Sequence, residues 1–151
     1  MKKIIILFAS VFLVACGGGD SDSGSMIDDT LPGTNVPASF AGTYVGTADL
    51  TASAIGITES DTFDVTITVT TDGMVRFDGD DPDETFTVGI QNDGVFRGTL
   101  SIDEDECQGS VTVDGTVDGT RASGNVNGSG ECDLNGLSID VSLEGTFNAT
   151  R

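Results

Sequence analysis

From residue 137 to residue 147 the chain alternates without a break. Leu137, Ile139, Val141, Leu143, Gly145 and Phe147 fall on one phase, and Ser138, Asp140, Ser142, Glu144 and Thr146 on the other. Side chains of a strand point alternately to opposite faces, so a period of two places one face on a core and the other in water. A helix would need apolar residues three and four apart, and no stretch of useful length provides them. The same period carries Phe63, Val65, Ile67 and Val69, then Phe86, Val88 and Ile90, then Phe96, Gly98, Leu100 and Ile102. Asp72-Gly73, Asp93-Gly94 and Asp118-Gly119 fall between such runs, where an Asp-Gly pair supplies the positive φ values of a tight hairpin turn. The pattern predicts strands near 40–50, 61–70, 74–79, 84–91, 94–102, 108–117, 121–128 and 137–148. Gly115, Gly124, Gly128 and Gly130 thin the sixth and seventh of these, which implies sharp coiling there.

The expected fold class is therefore all-β, a single antiparallel meander of about eight strands. Left open, such a sheet exposes two edges; closed as an up-and-down barrel it has none. Eight strands enclose just enough room for side chains or one small ligand. An open β-sandwich is the alternative. A membrane-spanning barrel would carry aromatic girdles, and this chain has no Trp and one Tyr.

Charge and composition narrow the chemistry. Among 151 residues, 25 acidic side chains face six basic ones, a formal charge of -19. Phosphate backbones are bound by Lys and Arg, so nucleic acid is not an expected partner. Histidine is absent, which removes the commonest general base and activator of Ser or Thr nucleophiles. No nucleophile elbow, phosphate-binding loop or dinucleotide fingerprint occurs, and no carboxylate pair stands out in an apolar setting. The chain is not expected to be an enzyme.

The N-terminus reads as an address. Met1-Lys2-Lys3 precedes an apolar run from Ile4 to Val14. As a helix at about 1.5 Å per residue that run spans roughly 17 Å, short of a bilayer core of about 30 Å. A basic start, a short apolar segment and small residues make the layout of a signal peptide. Gly, Ser and Asp dominate residues 17–38, a composition that buries too little apolar surface to order itself. As a flexible coil the segment spans roughly 25 Å, and about 75 Å at full stretch. The expected organisation is residues 1–15 as signal peptide, 16–38 as modified Cys and flexible tether, and 39–151 as the β-domain. Without Lys2 and Lys3, only Arg76, Arg97, Arg121 and Arg151 oppose the 25 acids.

Three features of the domain are candidates for chemistry. Cys107 and Cys132 form an even pair, expected to make a structural disulfide if the compartment is oxidising. It would close a loop of about 25 residues, contribute roughly 3.5 kcal/mol, and pin the start of the sixth strand to the loop beyond the seventh. Asp78, Asp80, Asp81, Asp83 and Glu84 form one acidic cluster, and Asp103, Glu104, Asp105 and Glu106 another. Clustered loop carboxylates can supply the six to eight oxygens Ca²⁺ requires, so the first cluster is a weak metal candidate beside the reading of a solvated acidic surface. Alternation places Arg76 and Arg97 on the polar face, as partners of nearby Asp.

Leu13-Val14-Ala15-Cys16 resembles the lipobox of bacterial lipoproteins. The resemblance implies a diacylglyceryl group on the Cys16 thiol, cleavage before Cys16 and acylation of its new amino group. Gly17, in place of an inner-membrane-retaining Asp, implies the outer membrane, on a side the sequence leaves open. The domain is similar to lipocalin-type small barrels and to bacterial lipoproteins ending in Gly-punctuated hairpins, through Ala41-Gly42-Thr43-Tyr44-Val45-Gly46-Thr47 and Leu143-Glu144-Gly145-Thr146-Phe147-Asn148-Ala149-Thr150-Arg151. The expected role is a non-enzymatic envelope lipoprotein, a β-barrel interaction or structural module meeting an envelope protein. The alternatives are a carrier of a small apolar ligand and a Ca²⁺-binding envelope protein.

Overall fold

A computed structural model describes residues 30–33, 35–78, 85–104, 107–134 and 136–151. The expected signal peptide, Cys16 and most of the tether lie outside the described residues, as do Asp80, Asp81, Asp83, Glu84, Asp105 and Glu106. The chain is all-β, as alternation requires. A 3-10 turn, Ala38–Phe40, leads into eight strands: β1 Gly42–Ala54, β2 Ile57–Val69, β3 Met74–Asp78, β4 Thr85–Gly89, β5 Val95–Glu104, β6 Cys107–Val117, β7 Arg121–Leu134 and β8 Leu137–Thr150. They form one sheet in the order β4-β3-β2-β1-β8-β7-β6-β5, and every pair is antiparallel. β8 returns to β1 through ten paired positions, Val45↔Thr150 to Ala54↔Val141. The result is an up-and-down barrel, and the sandwich alternative falls.

The barrel closes at one seam by an unexpected route. β4 and β5 meet through a single bridge, Ile90↔Phe96. The rest of that seam is filled by residues 30–33, upstream of Ser39 where composition placed the domain's start. The Thr30 amide donates to the Arg97 carbonyl at 2.7 Å, the Gly89 amide to the Thr30 carbonyl at 3.0 Å and the Gly33 amide to the Ile90 carbonyl at 2.8 Å. The Arg97 amide reaches the Thr30 hydroxyl at 2.8 Å. This strap satisfies edge groups of both strands, as a ninth strand would. Gly89 permits it, since a Cβ there would collide with the backbone of Thr30, Leu31 and Pro32.

Strand lengths also depart from expectation. β1 and β2 run on to a tip at Ile55-Gly56, where 40–50 and 61–70 were predicted, and β7 continues through its glycines to Leu134. Only the Gly of each Asp-Gly turn has positive φ (Gly73 83°, Gly94 87°, Gly119 90°), so Asp does not share the left-handed conformation assigned to the pair. Gly73 donates back to the Thr70 carbonyl and Gly94 to that of Gln91, the pattern of a turn closed by one left-handed glycine.

The inward faces make one main core. Tyr44, Ile67, Ile90, Phe96, Val75 and Ala122 are fully buried there. At its centre the Phe77 ring lies 5.4 Å edge-on to Phe147, 5.8 Å from Phe96 and 5.9 Å from Phe86. Gly115 and Gly124 face each other across β6 and β7 beneath these rings. A Cβ on Gly115 would come within 2.8 Å of Phe96 and 2.9 Å of Phe147, and one on Gly124 within 2.7 Å of Phe147. The glycines expected to mark coiling are the floor on which the aromatic rings rest. A second, smaller core of Ile139, Val141, Cys107 and Cys132 sits toward the far end.

Candidate functional site

Two ends of the barrel and one outer wall are the places where this chain can meet another molecule. The first end, here the strap end, gathers the turns at 70–74, 91–94 and 118–121 with the 3-10 turn. The Tyr44 hydroxyl donates to the Phe40 carbonyl at 2.7 Å, and desolvation raises its pKa. Arg151 donates to the carbonyls of Ser39 (3.2 Å) and Ala41 (2.6 Å) while stacking 5.8 Å above the Tyr44 ring. Val36 and Phe40 pack on the core from this side. Asn35 donates to the Asn92 side chain at 3.1 Å, and Gln91 to the Leu31 carbonyl at 2.7 Å. The end is thus plugged by the chain's own strap.

Two carboxyls here have perturbed acidity, and both in the same direction. Asp118 accepts from the amides of Thr120 (2.9 Å) and Arg121 (2.8 Å) and from the Thr120 hydroxyl, which holds its pKa below the usual carboxylate value. Asp72 is lowered chiefly by its hydrogen bond with Thr70. A general acid needs its pKa raised; these groups stay ionised and close turns.

The opposite end, the tip end, carries the β1–β2 hairpin tip at Ile55-Gly56 and the turn at Gly136 between β7 and β8. Cys107 and Cys132 face each other in β6 and β7 and form a disulfide, both side chains buried. Because β7 extends to Leu134, the bridge links two paired strands rather than a strand and a loop. Asp133 accepts from the Gly136 amide at 2.6 Å and fixes the β7–β8 turn. Of the first acidic cluster only Asp78 is described, and it pairs with Arg76 at 2.6 Å. Among the described residues no three of Asp, Glu, Cys and His gather as metal ligands. Arg76 and Arg97 are exposed, as alternation required.

The outer wall is polar and short-chained. One row runs Thr58, Ser53, Ser142, Ser129, Ser110, Ser101 across six strands, a hydroxyl at every position. Ser53 and Thr58 share a hydrogen bond at 3.0 Å, and Thr51 and Ser60 one at 2.8 Å. Farther toward the strap end, Asn125 donates to Asp114 at 3.2 Å and Arg121 to Asn148 at 2.6 Å. Alternation predicted which residues face outward; the hydroxyl row was hidden because it depends on register between strands.

Among the described residues the larger hollows are open grooves, one of about 860 Å³ over Phe96, Gly115, Gly124 and Phe147 and one of about 620 Å³ beside the Ile55-Gly56 tip. One cavity of about 20 Å³, beside the disulfide and lined by Ile102, Val111, Val141 and Leu143, holds a single water at most. The fold and its surfaces define a class, a filled up-and-down barrel strapped shut by its own N-terminal segment. Compared with known proteins, the sequence matches no family model and no curated protein.

Proposed function

We propose that this chain is a bacterial outer-membrane lipoprotein, acylated at Cys16, whose barrel acts as a non-enzymatic interaction module. The observation that carries the module reading is the packed interior: Phe77, Phe86, Phe96 and Phe147 occupy the space a carrier would leave for its ligand. A barrel filled this way offers partners its outer surface and open grooves, whereas small-molecule sites bury most of their ligand in an apolar hollow. The anchor rests on the Leu13–Cys16 resemblance, and two or more acyl chains hold a protein far more firmly than one.

Growth with a clickable palmitate analogue tests the anchor. Label is expected on the wild-type protein and absent from Cys16→Ala; label retained by Cys16→Ala overturns it. Native and denaturing mass spectrometry of the detergent-extracted full chain tests the module. Equal masses are expected, whereas a native excess of a few hundred daltons makes the protein a carrier. An excess near 40 Da removed by chelator would make it a calcium protein.

A further inference from the structure

Among the described residues Ile55 is the one non-glycine with positive φ, 52°, and with Gly56 (72°) it forms the β1–β2 tip. A β-branched side chain is the least suited to the left-handed region, where Asn, Asp and Gly are tolerated. Ile55 gains no core contact in return, since it is 69% exposed. Ile57 beside it is 47% exposed and Leu137, opening β8, is 62% exposed. Ala54 pairs with both Ile57 and Val141. Leu137 therefore lies four residues along the neighbouring strand, about 13 Å away at 3.3 Å per residue. The exposed apolar residues elsewhere, Leu31, Val45 and Val95, stand singly among polar rows or on the strap.

We infer that this tip end docks a basic protein, with Ile55 and Ile57 on one hairpin and Leu137 on the next as separate apolar contacts. The inference rests on the interaction-module reading and names its surface and partner chemistry. Glu131 and Asp140 line a groove with Ile55, Asp133 is exposed at the same end of β7, and all four arginines lie on strand portions nearer the strap end. A rim of one sign selects a partner of the opposite sign and repels an anionic bilayer or a second copy of this acidic chain. The tips are held before any partner arrives, by the Cys107–Cys132 bridge, the Asp133–Gly136 bond and the hydroxyl pairs of β1 and β2. Little ordering is left to oppose binding.

The experiment places a photoreactive phenylalanine analogue at position 57, 137 or 125 of the full chain and irradiates native membranes. Positions 57 and 137 are expected to capture the same protein, of pI above about 9, at least tenfold less at 0.5 M than at 0.05 M NaCl. Position 125, on the side wall, is expected to capture none. Ile55→Asn is expected to raise the melting temperature, because Asn suits the left-handed tip, yet to cut capture from position 137 at least tenfold. A merely structural Ile55 could not move the two readouts in opposite directions. An adduct with phospholipid, with a second copy or with an acidic protein overturns the inference, as does a lower melting temperature or undiminished capture in Ile55→Asn. Capture from position 125 alone refutes the tip surface and leaves the module reading standing; no adduct from any position refutes both.

Discussion

The two ends of this barrel are held by different means. At the strap end, the segment is held by hydrogen bonds as well as by Val36 and Phe40 on the core: Thr30 and Gly33 bond along the seam of β4 and β5, and Ser39 and Ala41 accept from Arg151. At the tip end, the walls are uneven. β1, β2, β7 and β8 run 13 or 14 residues, while β3 and β4 have five. A disulfide there stands in for the missing breadth of core. Hydrogen bonds can recruit a polar segment into a fold because buried strand edges must be satisfied, whereas a thin apolar cluster needs a covalent tie. The strap end has spent its surface on itself, and the tip end has not.

The sharpest way to break the comparison is to remove what both ends share. Phe96→Ala leaves a void among Phe77, Phe86 and Phe147 and should cost about 3–5 kcal/mol in urea unfolding, enough to unfold a marginal domain. Disulfide removal should be more local. Cys107→Ser with Cys132→Ser is expected to cost roughly 3.5 kcal/mol, with amide exchange rising first at 107–111, 128–134 and 137–141. Protection of β1 against β2 near Tyr44 should survive in conditions where the domain stays folded. Uniform loss of protection would mean that the two cores form a single unit.

The strap can be released without touching the core. Gly89→Ala puts a Cβ into the Thr30–Pro32 backbone, so the strap must move or leave. Exchange at the Thr30 and Gly33 amides should rise to that of exposed chain, with at most about 2 kcal/mol lost overall, because ordering entropy offsets most of the bonds given up. If protection at Thr30 persists, the segment is held by more than the seam.

How far the fold could be read in advance follows from where its information lies. The strand faces were visible because apolar alternation is local: Phe63 to Val69 and Leu137 to Phe147 announce themselves. The β1–β2 tip was not, since Ala52 and Ala54 are small and Ile55-Gly56 does not look like a turn. β7 was cut short because Gly124, Gly128 and Gly130 erase the apolar phase while still pointing inward. The strap lay wholly outside the pattern. Its composition is that of a coil, and all of its bonds but that of the Thr30 hydroxyl come from its backbone atoms, which carry no sequence pattern. The candidate surface was legible only as a list of acids; Ile55 and Ile57 fell between two predicted strands, and nothing singled them out until their exposure and the Ile55 backbone were known.

The smallest effect probes a turn at the strap end and fixes its sign. Asp118 is fully ionised at neutral pH and its carboxylate accepts three hydrogen bonds, so its folded pKa lies below the unfolded value of about 3.9. A depressed carboxyl pKa contributes stability that is present above the unfolded pKa and disappears as pH falls through the folded one. Asp118→Asn should therefore destabilise the barrel slightly and evenly from pH 8 down to pH 5. Below pH 4 the difference from wild type should shrink, because protonation removes the same charge that the substitution does. Asp72, lowered in the same direction by Thr70, belongs to a different turn at the same end, so Asp72→Asn should give a parallel profile. A gap between wild type and Asp118→Asn that widens toward acid would show that Asp118 is protonated more readily in the folded barrel, and the turn would have to be held by something other than its charge.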